Sequence, residues 1–143
     1  MEKDAIKLMP FLIFIICLTF FSAKSFGQNM IGQTSSFIIN YHYNSEYYQL
    51  PSEIRDKNGK IQTLTYLHKN YKMELNYIFD ENEQCQAYSI SGDFISLDYL
   101  IKDFNTRYKK LSENEWICYS KNGNFKITLS KNPSTYSFYY TLY

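Results

Sequence analysis

Between Tyr71 and Asp80 the chain alternates. Tyr71, Met73, Leu75, Tyr77 and Phe79 fall on one side, and Lys72, Glu74, Asn76, Ile78 and Asp80 on the other. A period of two with one mainly apolar face marks a strand half buried in an antiparallel sheet. A helix cannot use this pattern, because its neighbours recur at three and four residues. Further β-rich runs surround it: Ile61 to His68, Gln84 to Ser91, Trp116 to Ser120, Phe125 to Ser130 and Thr135 to Tyr143. A short strand is also expected around Tyr48 to Leu50, in an otherwise irregular stretch from Asn44 to Asn58 that contains Pro51. The turns between strands are written in Asn and Gly, which tolerate positive φ: Asn58-Gly59 and Asn122-Gly123, with Lys131-Asn132-Pro133-Ser134 closing the last hairpin.

Two stretches break this pattern. Leu97, Leu100, Ile101, Phe104, Tyr108 and Leu111 recur at helical steps and form one stripe. Ser96 is placed to cap that helix, Asp98 suits its first turn, and Arg107, Lys109 and Lys110 suit its last turn. A shorter helix is expected through Phe37-Ile38-Ile39-Asn40-Tyr41, capped by Thr34 or Ser35. The expected fold is therefore α+β, an antiparallel sheet with helices on one face.

The order helix, strand, strand, strand reads twice, over about 32–91 and 93–143. Lys69-Asn70-Tyr71-Lys72-Met73-Glu74-Leu75 matches Lys121 to Leu129 with two extra turn residues, and Ala87-Tyr88-Ser89-Ile90 matches Thr135-Tyr136-Ser137-Phe138. A tandem duplication of helix–three-strand units is the reading; generic strand composition is the alternative.

The start of the chain reads as an address. Lys3 and Lys7 precede the uncharged run Phe11 to Phe21, and small residues follow to Gly27. This is the pattern of a secretory signal peptide over residues 1–27, cut before Gln28 or two residues earlier. The run rises only about 16 Å as a helix, against a hydrocarbon core of roughly 30 Å. Cys17 lacks the small residues a lipoprotein signal needs before it. A single α+β domain, 28–143, is left, with no stable membrane span and a periplasmic or secreted destination. A Lys-, Asn-, Ile- and Tyr-rich composition suggests a bacterial source. The domain keeps 12 basic and 12 acidic residues, which gives no electrostatic reason to expect nucleic acid. Cys85 and Cys118 remain. In an oxidising compartment they form either a disulfide or a pair of buried thiols.

Catalytic signatures are missing. His42 and His68 have no closely spaced ligand partners, no GxSxG surrounds any Ser, and the five Gly are scattered singly. Asp80, Glu81 and Glu83 bunch as a cation site would, but depart from the EF-hand pattern and read as a solvated hairpin tip. No catalytic residue, cofactor or metal is assigned, and an enzyme would need residues assembled only by the fold. The remaining candidates are tyrosines. Tyr139 and Tyr143 fall on the opposite face of the last strand from Tyr136, Phe138 and Tyr140, and Tyr47 and Tyr48 are placed to extend such a surface. Tyr offers large contact area with a polar tip, which suits protein interfaces and carbohydrate stacking alike; the alternative is a sheet that needs β-formers.

Gly32-Gln33-Thr34 ahead of a helix, a loop with Pro51, then Leu64-Thr65-Tyr66 and Tyr77-Ile78-Phe79-Asp80-Glu81-Asn82 resemble the α/β modules of the SmpA/OmlA and β-lactamase-inhibitor-like superfamily. The resemblance covers most of the domain by element order. It implies a small exported module that binds protein in the envelope or acts as a secreted inhibitor. The lipoprotein cysteine usual in the SmpA branch is absent here, and no functional residue carries over. The sequence thus favours a non-catalytic binding module whose aromatic sheet face takes an envelope or extracellular protein. A small-ligand or glycan binder, or a secreted protein with a structural role, is the alternative.

Overall fold

The structure is a computed structural model and describes residues 30–119 and 123–143, without the side chain of Ser96. The expected signal segment and Asn122 lie outside the described residues, as does the Ser96 cap. Helix α1 spans Ser35–Tyr43 and is followed by β1 (Ser52–Arg55), β2 (Ile61–Leu67), β3 (Met73–Phe79) and β4 (Cys85–Gly92). A 3-10 turn, Phe94–Ser96, leads into α2 (Leu97–Arg107), and then come β5 (Lys109–Ser112), β6 (Glu115–Cys118), β7 (Phe125–Lys131) and β8 (Tyr136–Leu142). All eight strands join one sheet in the order β1-β2-β3-β4-β8-β7-β6-β5, antiparallel throughout.

Four strands follow each helix, where three were expected. The extra strand of the second half is β5. Spacing alone carries the apolar stripe through Leu111, yet the helix ends at Arg107 and Leu111 lies on β5, with Lys109 and Lys110 beside it. The extra strand of the first half is β1, which starts directly after Pro51; the strand expected at Tyr48 to Leu50 is a single bridge, Tyr48 to His68. Both extra strands sit at the sheet's edges. Each is four residues long, exposed at every position and irregular in register, and they carry Glu53 and Arg55 or Lys109 and Lys110. Short, bulged and charged edges resist pairing with another chain.

Both helices cover the same face of the sheet. Thr34 caps α1 by accepting from the Phe37 N–H at 3.2 Å, and Ile38 and His42 turn inward. Asp93 caps the 3-10 turn by accepting from the Ile95 N–H. Leu97, Leu100 and Phe104 form the buried stripe of α2. The Phe104 ring lies 4.6 Å from Phe138 and 5.8 Å from Trp116, while the Trp116 indole N–H donates to Asn105 at 2.8 Å. Opposite register partners set a buried row across the sheet: Leu64, Tyr77, Tyr88, Tyr140, Ile127 and Trp116. Tyr88 and Tyr140 stack across the central β4–β8 pair at 4.1 Å, with 13° between ring planes.

Cys85 and Cys118 are both free. Cys85 is on β4 and Cys118 on β6, three strand positions apart, or roughly 14 Å at ~4.8 Å per strand. A disulfide needs Cα atoms within about 7 Å, so the bonded reading of the pair fails on topology.

Candidate functional site

Among the described residues no helix packs on the other face of the sheet, and most of its side chains are at least partly exposed, Ile117 on β6 being the buried exception. Its central row runs Thr65, Asn76, Ser89, Tyr139, Thr128 and Glu115, and a second runs Ile54, Thr63, Ile78, Ala87, Thr141, Lys126 and Ile117. Small polar side chains dominate, so the larger groups stand clear: Ile54, Leu67, Ile78 and Tyr139 are all exposed, Tyr139 by 48 %. Several polar groups pair within the surface. Ser91 and Ser137 hydroxyls meet at 2.9 Å, Thr65 donates to Asn76 at 3.2 Å, and Lys126 bridges to Glu115 at 3.1 Å. Tyr143 follows β8 on the same alternation and is 72 % exposed, its N–H held by the Asn124 carbonyl.

Tyr47 and Tyr48 do not extend this surface. Tyr48 is half buried on the helix side, with its ring 5.2 Å from His42, 6.3 Å from Tyr66 and 5.4 Å from His68. Tyr47 is exposed beside His68 at 6.1 Å. Alternation could not foresee this, because the Tyr48–His68 bridge sets the side on which Tyr48 lands.

What sequence reading missed is that the two histidines, 26 positions apart, enter one aromatic cluster, with Tyr48 between them. His42 Nε2 shares a 3.0 Å hydrogen bond with the Tyr77 hydroxyl, and burial pushes its pKa down to about 4. Burial also holds Tyr77 well above the ordinary phenol value and moves Tyr48 and Tyr66 up to about 12. His68 Nδ1 accepts from the N–H groups of Asn70 and Tyr71 at 3.1 and 3.2 Å, leaving the proton of the neutral ring on Nε2. Burial lowers its pKa as well. Both imidazoles are therefore neutral near pH 7. Neither has a carboxylate within hydrogen-bonding distance among the described residues, so the cluster lacks the oriented base of a triad.

At the end of the bare face, the row Leu67, Glu74 and Ser91 floors an open cleft of about 560 Å³. Tyr71, Lys72 and Asp93 from the adjoining loops, and Ser134 and Thr135 of the β7–β8 turn, also line it.

The thiols do not offer nucleophiles at neutral pH. Burial pushes Cys85 up to about 12 and raises Cys118. The acidic hairpin tip is absorbed by the backbone. Asp80 accepts from the N–H groups of Asn82 and Gln84, and Glu83 accepts from the Ile61 N–H at 2.9 Å and the Ser35 hydroxyl at 3.3 Å. Glu83 thereby ties α1 and β2 to the β3–β4 turn.

Comparison with family models, curated proteins and solved structures finds no match for this chain.

Proposed function

We propose that this is an exported, non-catalytic binding module that takes a protein partner on the bare face of its sheet. The observation that carries the reading is the asymmetry of the two faces. One is sealed by both helices, while the other presents Ile54, Leu67, Ile78, Tyr139 and Tyr143 above a field of Ser, Thr and Ala. Small molecules are held in concave sites, whereas a broad sheet face with separated apolar and aromatic groups suits a protein surface. The order of one helix and four strands occurs twice along the described residues, which supports reading the domain as a duplicated unit.

The test is a crosslinking capture from the envelope and medium of the producing cell. The bait is the protein lacking its first 27 residues, compared with its Tyr139→Ala, Tyr143→Ala double variant. One dominant protein is expected with the parent and a strongly reduced yield with the variant, the far-UV spectrum and melting midpoint staying unchanged. Equal capture by both removes this face as the docking surface.

A further inference from the structure

We propose that the cleft at the end of the bare face is a binding site for a neutral oligosaccharide, with Tyr71 as its stacking platform. Its volume of about 560 Å³ falls within the range of small-ligand sites, roughly 300–1,000 Å³. Tyr71 is 68 % exposed yet its backbone is fixed, since its N–H donates to His68 Nδ1 and its carbonyl accepts from Met73 at 2.8 Å. The His68 ring lies 4.8 Å from the Tyr71 ring at 53°, supporting it from one side. An exposed aromatic ring on a backbone already held in place loses little freedom when a ligand covers it.

The charges in the cleft select the ligand class. Glu74 and Asp93 face any bound anion with two carboxylates, and Lys72 faces any bound cation with an ammonium. No ion pair neutralises Glu74 or Lys72 among the described residues. A neutral ligand rich in hydroxyls avoids both repulsions. Its hydroxyls donate to the carboxylates and accept from Lys72, Ser134 and Thr135, while the C–H face of a sugar ring covers Tyr71. The cleft shares Leu67 with the docking face, but Tyr71 is not part of that face and Tyr139 and Tyr143 do not line the cleft, so the Tyr71 variant and the Tyr139, Tyr143 double variant test the two proposals separately.

Saturation-transfer NMR of the protein with neutral tetrasaccharides of glucose, N-acetylglucosamine, mannose and galactose, each at millimolar concentration, tests the assignment. A sulfated tetrasaccharide and spermidine serve as anionic and cationic comparisons. At least one neutral sugar should bind, its ring protons shifted upfield by an aromatic face, and Tyr71→Ala should weaken it by roughly tenfold. Glu74→Gln keeps an acceptor and should change that affinity only about twofold, whereas a bound amine would be lost. Silence from every neutral sugar, binding that survives Tyr71→Ala unchanged, or preference for the sulfated sugar or the amine overturns the proposal.

Discussion

Two tyrosines in the same buried row should respond to loss of their hydroxyls with opposite signs. Tyr77 and Tyr140 are each no more than 3 % exposed. The Tyr77 hydroxyl is bonded to His42, but among the described residues the buried Tyr140 hydroxyl has no partner, nor do those of Tyr66 and Tyr88. Tyr140→Phe removes a desolvated, unbonded group whose burial costs about 1–3 kcal/mol. The void left by one oxygen, on the order of 10 Å³, returns only about 0.2 kcal/mol at ~24 cal/mol per Å³. A net gain of about 1 kcal/mol is expected. Tyr77→Phe deletes a hydrogen bond and strands the His42 ring nitrogen, so a loss of roughly 1–3 kcal/mol is expected. Urea unfolding followed by circular dichroism separates them. With a slope of about 2 kcal/mol per molar, the Tyr140→Phe midpoint should rise by roughly 0.5 M and the Tyr77→Phe midpoint fall by at least as much. If both substitutions destabilise equally, the Tyr140 hydroxyl is satisfied in solution and the reasoning fails.

Three further outcomes follow from the same geometry. His42 has its folded pKa depressed to about 4 from 6.5, so the unfolded chain binds its proton first; stability present above pH 6.5 should fall by roughly 3 kcal/mol as pH drops toward 4. His68 adds a loss of the same sign, and urea titrations at stepped pH should show a flatter slope in His42→Gln. Gly92→Ala should cost about 1–3 kcal/mol, because a Cβ there would stand 2.9 Å from the hydroxyl of fully buried Tyr136; an unchanged melting midpoint would show that the ring can move. Glu83→Ala removes a carboxylate that accepts from Ile61 and Ser35, and should cost roughly 2 kcal/mol by urea unfolding.

The parts of this fold that sequence reading recovers are those in which one segment carries its own periodicity. Met73, Leu75, Tyr77 and Phe79 alternate because one side of β3 is covered, and Leu97, Leu100 and Phe104 repeat at helical steps because one side of α2 is covered. The edge strands escape for the converse reason. Every residue of β1 and β5 is exposed, so burial imposes no pattern on Ser52–Arg55 or Lys109–Ser112. Leu111 then extends the α2 stripe by spacing alone, although the chain has already left the helix. The aromatic cluster was illegible for a different reason. His42, Tyr48, Tyr66, His68 and Tyr77 meet through register between separate elements, and no local window contains that register.

The joint between the two halves is the extreme case of this limit. Each half is a meander whose neighbouring strands are also neighbours in sequence, so loop closure within it is inexpensive. The pairing of the two sheet halves rests on β4 and β8, the last strand of each, where Ala87 lies opposite Thr141 and Gly92 opposite Tyr136. No turn connects these strands, so their register must be set by side chains. Tyr88 stacked on Tyr140 and Ile90 opposite Phe138 are the groups available on the covered side. That places an unbonded pair of hydroxyls, those of Tyr88 and Tyr140, at the seam that makes one sheet out of two. The stack supplies the contact that fixes register, and the hydroxyls weaken it. Replacing both by Phe keeps the ring overlap, so the seam should hold while the cost of the hydroxyls disappears; Tyr88→Ala would instead open it.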